Sequence, residues 1–448
     1  MEQGKCSRMQ MESILSVVSG KPTEPGKIHE LSLLDRAMAR HTIHLVFYYG
    51  SNPFVDGPMP SDLGNLRVNL SELLDEYPLV TGRLTRGPDG EWQIKFNDAG
   101  VRMLQTSVDA TLDEWLRSAD AEEERDLTVW EEMPNDPSFW SPFRVQINKF
   151  KCGGIALGLS CTHMHTDITS ATMLIKSCAD VHRHQPPTTT PIFHLPPTPT
   201  TAAAAKPHST TSPPPPPPPS TKMATATMKF SATVIDKCLS QAQSHCPAAT
   251  PFDVLAALFW SCTAAAAADN NMHKRSLSIC IDSRNQGQNP IPYAYFGNAL
   301  HFSTLTVDAD ELLSGGLGHV SDYVHRHVSG MRKEDYFSAS ALSLLEENGD
   351  GGDDEPSRMY GARLTCINME HMEELMYEAE FKKGERPVHV SCRVGNVEGE
   401  GVIMVMPSAE GGRGRTVTAT LPEEQLAKLC KDKAILDLEP TMILCGRR

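Results

Sequence analysis

Apolar and polar residues alternate in several short runs of the first half: HTIHLVFYYG (41–50), WQIKF (92–96) and FRVQINKF (143–150). A period of two puts every second side chain on one face, so each run predicts a β-strand. In NLRVNLSELLDEYP (65–78) the leucines recur three and four apart, which predicts a helix. Beyond FRVQINKF the chain passes through KCGG into IALGLS (155–160). Phe143, Val145 and Ile147 alternate on one arm and Ile155, Leu157 and Leu159 on the other, with Gly153 and Gly154 at the turn, so the segment reads as a hairpin. Ile168, Met173, Leu174 and Cys178 then follow at helical spacing. CTHMHTDITS (161–170) is therefore expected where a strand gives way to a helix.

The second half opens in the same style. ATMKFSATVIDKCLSQA (226–242) predicts a strand entering a helix near Ser231. In ATPFDVLAALFWSCTAAAAA (249–268) Thr250 is placed as N-cap, Pro251 in the first turn and Asp253 as the reciprocal member of a capping box, with Ala264 to Ala268 as the helix end. Strand and helix signals mix without a regular βαβ succession, so the expected fold is α+β: two similar-sized domains, each a mixed sheet with flanking helices. A break in composition separates them, because PPTPTTAAAAKPHSTTSPPPPPPPS contains seven consecutive prolines, Pro213 to Pro219. Proline removes the backbone donor that a helix or ladder needs, so this stretch reads as an extended, solvated linker. The expected division is 1–185, a linker over 186–226, and 227–448. ENGDGGDDEPS (347–357) reads as an acidic surface loop.

Composition narrows the classes of function. Acidic side chains number 56 against 41 basic ones, a net charge of −15, which disfavours nucleic acid or anionic lipid as a general partner. The 12 cysteines are scattered with no C-x-x-C pair, a pattern of reduced thiols and a cytoplasmic address. Neither a signal-peptide core nor an uninterrupted apolar run of membrane-spanning length is present, so no transmembrane segment is expected, and the chain reads as a monomer. Trp92, Trp115, Trp130, Trp140 and Trp260 are expected in the core or along a channel wall, and Met404 and Met406 in the core.

Chemistry concentrates in HMHTD. His163 and His165 are two apart on an extended segment and share a face, so with Asp167 they could bind zinc, although no further His or Cys lies at ligand spacing; His182 and His184 fall where the helix meets the linker. A general base needs less: one packed histidine at a strand mouth, with a carboxylate four residues on to brace the turn. His163 has that carboxylate in Asp167, and His165 has none at the same spacing. A polar strand end with hydrogen-bonded histidines is the third reading.

The company of this motif resembles one family. H-x-x-x-D after a glycine-containing apolar strand, then TPFDVLAALFW, is the order of the BAHD acyltransferases of plants, whose fold is that of chloramphenicol acetyltransferase. LSLLDRAM and NLSELLDEYPLVTGRL are similar to that family's opening motifs. ICIDSRNQGQNPIPYAYFGNAL is similar to its V-D-x-R and Y-F-G-N segments, and VIMVMPSAEGG to a closing strand. The resemblance implies acyl transfer from an acyl-CoA co-substrate to an alcohol or amine acceptor, with no permanent cofactor and no metal. It makes His163 the general base, Asp167 a support facing away from substrate, and Arg284 the cationic partner of Asp167. Arg386, in GERP, stands where some relatives pair an arginine with an acceptor carboxylate, but the loop around it is rewritten and a surface arginine is the favoured reading. Two departures are evident. Ile168 replaces the glycine that follows the motif aspartate. EFKKG (380–384) replaces D-F-G-W-G: Glu380 stands for the aspartate, Phe381 and Gly384 are retained, and Lys382 and Lys383 are new. A branch of the same superfamily that commonly loses this signature is the eceriferum/glossy wax group, which the chain resembles in INKFKCGGIALGLS and SRMYGARLTCINME. That branch implies an alternative: an accessory to a fatty-acid elongase condensing enzyme in very-long-chain fatty acid and cuticular wax synthesis, at the endoplasmic reticulum.

Overall fold

The computed structural model describes residues 8–54, 63–88, 90–194, 221–266, 273–286, 290–332 and 359–446. Pro213 to Pro219, most of the expected linker, and the acidic loop at 347–357 lie outside the described residues. In chain order the strands are β1 (Met9–Val17), β2 (Ile28–Glu30), β3 (Thr42–Tyr49), β4 (Arg83–Arg86), β5 (Trp92–Lys95), β6 (Val101–Val108), β7 (Phe143–Phe150) and β8 (Ile155–Thr162). They continue as β9 (Met223–Phe230), β10 (Lys274–Asp282), β11 (Leu300–Asp308), β12 (Thr365–Asn368), β13 (His389–Gly395), β14 (Val402–Pro407), β15 (Arg415–Pro422) and β16 (Thr441–Ile443).

Two large sheets result, one in the order β1-β6-β7-β8-β3-β13 and the other β11-β10-β12-β14-β15-β9-β16, with a small β2-β5-β4 sheet beside them. Both large sheets are mixed: β6 and β7 run parallel, as do β10, β12 and β14, while the other pairs are antiparallel. The α+β expectation of two mixed-sheet layers with flanking helices holds. The boundary needs a qualification, because β13 belongs to the sequence interval 227–448 yet pairs antiparallel with β3 in the first sheet, Cys392 opposite Leu45 and Gly395 opposite Thr42. The break at 186–226 divides the sequence but not the sheets.

The β7–β8 hairpin forms in the expected register, Val145 opposite Leu159 and Ile147 opposite Leu157, and Gly153 takes the left-handed turn position at φ 85°. Its alternation understates its burial. Arg144, Gln146 and Asn148, on the polar face, are also buried, because the segment Asp126–Thr128 covers that side and its carbonyls accept from Gln146 and Asn148. Gly158 lies so close under that cover that a Cβ would come within 2.1 Å of the Leu127 carbonyl oxygen. Helix starts also follow the sequence: Ser231 caps the helix Ala232–Ala242, and Thr250 and Asp253 exchange side-chain-to-backbone bonds of 2.8 and 3.3 Å. One apolar core runs from Leu45 and Phe47 in β3 through Phe296, Phe302 and Tyr360 to Met404 and Met406 in β14; a second fills the space under the seven-stranded sheet around Phe252, Phe259 and Trp260.

Candidate active site

β8 delivers His163 to the centre of the molecule. Its last residue, Thr162, pairs with Thr42, and the next backbone N–H, that of His163, donates to the His41 carbonyl at 3.0 Å. Asp167 then starts the helix Ile168–His182 as its N-cap, its Oδ1 accepting from the Ser170 N–H at 2.8 Å. Asp167 has extended backbone and Ile168 already takes helical geometry without a positive φ. The turn therefore makes no demand for glycine at 168, and Ile168 is buried there in the core.

The structure brings Asp167 and Arg284 together. Arg284 donates from Nη1 to Oδ2 at 2.9 Å and from Nη2 to Oδ1 at 3.1 Å, a two-pronged pair with both side chains buried. The same guanidinium donates to Asp282 Oδ2 at 2.6 Å, to Ser170 Oγ at 2.7 Å, and to the carbonyls of Tyr295 and Gly297. Burial alone would lower the arginine's pKa, but Asp167 and Asp282 raise it above the ordinary value. Asp282 is likewise held below the usual carboxylate range: burial pushes it up, and Arg284 with His371 more than reverses that. The Asp167 Oδ2 atom also accepts the Ala299 N–H at 2.8 Å, so the strand after the YFGN segment hangs on the same carboxylate.

His163 is 0% exposed, and burial moves its pKa below 6.5, partly opposed by Asp167 and Asn298. Its Nε2 lies 3.1 Å from the Tyr360 hydroxyl, the two rings tilted by 31°. Burial raises the Tyr360 phenol well above its ordinary pKa, so it stays protonated and caps a neutral imidazole. The His163 carbonyl is fixed separately: Asn298 Nδ2 donates to it at 2.8 Å and to Asp35 Oδ1 at 2.7 Å. Two distant motifs, LSLLDRAM and YFGNAL, thus meet at Asn298, the residue that holds the backbone of the histidine.

His165 points elsewhere. Its ring packs edge-on against Phe143, neither nitrogen has a hydrogen-bond partner among the described residues, and burial lowers its pKa to about 3. His163, His165 and Asp167 do not converge as the zinc reading requires: one faces Tyr360, one Phe143 and one Arg284. Among the described residues no group of three His, Cys, Asp or Glu could hold a metal ion. Arg386 is not brought to this centre either. Its side chain is 60% exposed and donates to Glu380 at 2.9 Å. In EFKKG, Glu380 also accepts the Gly384 N–H at 3.0 Å and faces Arg183 at 3.7 Å, while Phe381 is buried against Tyr49 and Phe54. Glu380 thus ties its loop to the end of the helix Ile168–His182.

Sequence reading missed Asp282, Asn298 and Tyr360. Asp282 and Asn298 lie inside segments already singled out. Tyr360 also lies in such a segment, SRMYGARLTCINME, but is 197 residues from His163, and only the fold brings the two together.

Comparison with known proteins decides the family. The model of the Transferase family matches residues 11–436. The chain belongs to that family, the BAHD acyltransferases. ECERIFERUM 26 of Arabidopsis thaliana is 26% identical over 433 residues, 92% of each chain. A hydroxycinnamoyltransferase of Narcissus pseudonarcissus is 28% identical over 440 residues, 92% of this chain and 96% of that one. Among solved structures, vinorine synthase superposes with a TM-score of 0.75 at 18% identity, covering 96% of this chain and 98% of its own. F. graminearum TRI101, complexed with coenzyme A and T-2 mycotoxin, gives 0.68 at 14% identity, covering 93% and 100%. For this BAHD chain the fold is that of its solved neighbours, and no described helix is long and apolar enough to cross a membrane.

Two predictions follow from the charge arrangement. Asp167→Asn leaves Arg284 paired with Asp282, whereas Arg284→Ala leaves two buried carboxylates facing each other. Breaking a buried pair costs about 3–5 kcal/mol, so chemical denaturation should show Arg284→Ala as the more destabilised variant; the reverse order would contradict the shared pair. The second concerns acid. His165 stays neutral when folded and takes a proton near 6.5 when unfolded, so the unfolded state binds more protons below that pH and stability falls as pH drops towards 3. His165→Leu should lose less stability than the parent between pH 7 and pH 5, by about 2 kcal/mol in urea titrations. Equal losses would contradict a neutral buried ring.

Proposed function

We propose that this BAHD chain transfers an acyl group from an acyl-CoA thioester to the hydroxyl or amine of a small acceptor, with His163 as general base. His163 Nε2 removes the acceptor's proton as its oxygen or nitrogen attacks the thioester carbonyl. The tetrahedral intermediate collapses, the carbon–sulfur bond breaks, and the imidazolium returns the proton to the CoA sulfur. The acceptor atom takes the place that the Tyr360 hydroxyl holds against Nε2. The observation that carries this reading is a buried imidazole whose backbone carbonyl and backbone N–H are both held, with its Nε2 against a hydroxyl and its Nδ1 without a partner among the described residues. Coenzyme A in the TRI101 complex and hydroxycinnamoyl transfer in the relatives' names support the donor class.

One observation favours a second reading. His163 is sealed under Tyr360 with no exposure, as suits a chain that, like the ECERIFERUM relatives in sequence, serves as an accessory to a fatty-acid elongase.

Product detection by mass spectrometry over a panel of acyl-CoAs and acceptors separates the two. Under the catalytic reading, His163→Ala lowers turnover by roughly a hundred- to ten-thousand-fold, and His165→Ala retains most of it. Equal losses at both positions would contradict the assignment of the base. No turnover by the unaltered protein with any pair would favour the accessory reading.

A further inference from the structure

The buried cluster behind the histidine turn is short of one positive charge. Asp167 and Asp282 bring two carboxylates and Arg284 one guanidinium, and none of the three side chains is more than 5% exposed. Neutral donors answer part of the surplus: Asp167 accepts from the N–H groups of Ser170 and Ala299, and Asp282 from the Arg284 N–H at 2.7 Å and the Thr169 hydroxyl at 2.6 Å. Dipoles do not supply a charge, and a buried carboxylate without a full partner is costly. Among the described residues, the cationic groups within ion-pair distance of these two carboxylates are Arg284 and His371, whose Nε2 lies 3.5 Å from Asp282 Oδ2.

His371 is held in place for that contact. It follows β12 in a single turn, Glu370–Met372, which Glu370 fixes: its N–H donates to Asn368 Oδ1 at 3.0 Å, and its Oε1 accepts from Arg415 Nε at 3.0 Å and from the Phe252 N–H at 3.2 Å. The Thr169 hydroxyl has one proton and gives it to Asp282, so at 3.1 Å it accepts from His371, and Nε2 carries a hydrogen. Nδ1 is then the atom at which the ring takes up its charge. The side chain is 35% exposed, open to a proton from solvent, whereas Arg284 and the carboxylates are closed off. The other titratable groups beside it are acids: Glu370 is paired with Arg415, Glu373 accepts from the Gly412 N–H, Glu374 is exposed, and burial with Asp282 and Glu374 keeps the Tyr293 phenol neutral. Asp282 feels the histidine directly, since Arg284 and then His371 overcome the upward push of burial on its carboxyl.

We infer that His371, as an imidazolium, is the second cation of this cluster and a positioning residue for His163. Arg284 Nη1 is shared, at 2.9 Å from Asp167 Oδ2 and 2.6 Å from Asp282 Oδ2. A charge on His371 takes up part of the pull of Asp282, which leaves the guanidinium to Asp167; without it two carboxylates compete for one cation. Asp167 is the N-cap that closes the HMHTD turn, so the competition loosens the turn and misdirects the imidazole. The inference rests on the proposed acyl transfer for its effect on rate; its structural half is tested without turnover.

The experiment compares His371→Gln with His371→Lys in the full-length protein. Glutamine keeps an N–H donor for Thr169 and loses the charge, and lysine keeps the charge. Deuterium exchange followed by mass spectrometry reads the amides that Asp167 holds, Ser170 and Ala299, with the peptides of β7 as control. In His371→Gln these two amides should exchange about tenfold or more faster and β7 no faster, and His371→Lys should match the parent. In acyl transfer His371→Gln should lower kcat by about ten- to a hundredfold with KM unchanged, and His371→Lys should restore most of it. Melting curves establish that both variants are folded, and His371→Ser makes the same comparison if the glutamine variant is not. Unchanged exchange or unchanged kcat in His371→Gln overturns the inference. Equal losses in the glutamine and lysine variants overturn it too, because they would assign the ring a packing role and not a charge. Faster exchange at Ser170 and Ala299 in His371→Gln alone, with no turnover by the unaltered protein, would count against the proposed reaction and leave the four-membered cluster standing.

Discussion

The guanidinium of Arg284 lies between Asp167 and Asp282 with every donor direction engaged. Two buried carboxylates and one buried cation are tolerable only as a set, because each loses its hydration and must recover it from the others. Asp282 and Arg284 belong to the second half of the chain and Asp167 to the first, so this pairing fixes where the halves meet. It fixes the histidine turn as well. Asp167 is at once the cap of the helix Ile168–His182, the partner of Arg284 and the acceptor for Ala299, which leaves the four residues before it little freedom.

His163 is built on that constraint, and its chemistry follows from being dry. An imidazole shielded from water stays neutral, which is the form that can accept a proton. The same burial makes it dependent on Tyr360, the group against its Nε2, whose hydroxyl offers the kind of hydrogen bond an acceptor alcohol would offer. The rewritten EFKKG segment does not disturb this arrangement. Glu380 keeps a carboxylate where its loop, Gly384 and Arg183 need one, and Lys382 and Lys383 are on the outside, where two charges cost little.

What was legible in the sequence is what local physics decides. The hairpin at 143–162 follows from alternation and two glycines, the helix after Asp167 from spacing and a capping carboxylate, and the start at Thr250 from a capping box. What was not legible depends on contacts between distant segments. Nothing in HVSCRVG says that β13 joins β3 and not a strand of its own half, since either sheet would bury the same apolar face. The polar face of β7 is buried because Asp126–Thr128 folds over it, a contact about twenty residues away that periodicity does not register. Tyr360 gains its meaning from a three-dimensional neighbour alone, His163. Arg386 shows the converse: the resemblance offered it a role, the rewritten loop argued for the surface, and Glu380 holds it there.

The central claim is that a neutral, water-shielded His163 is the base. Its most direct test is the pH dependence of kcat/KM for acyl transfer, which reports the ionisation of the free protein. Because burial lowers the pKa of His163, the rate should stay level from pH 8 down past the ordinary histidine value of 6.5 and fall only at lower pH, as the imidazole takes up a proton. A rate that already falls between pH 8 and pH 7, or one that does not fall at all before the protein unfolds in acid, would contradict it.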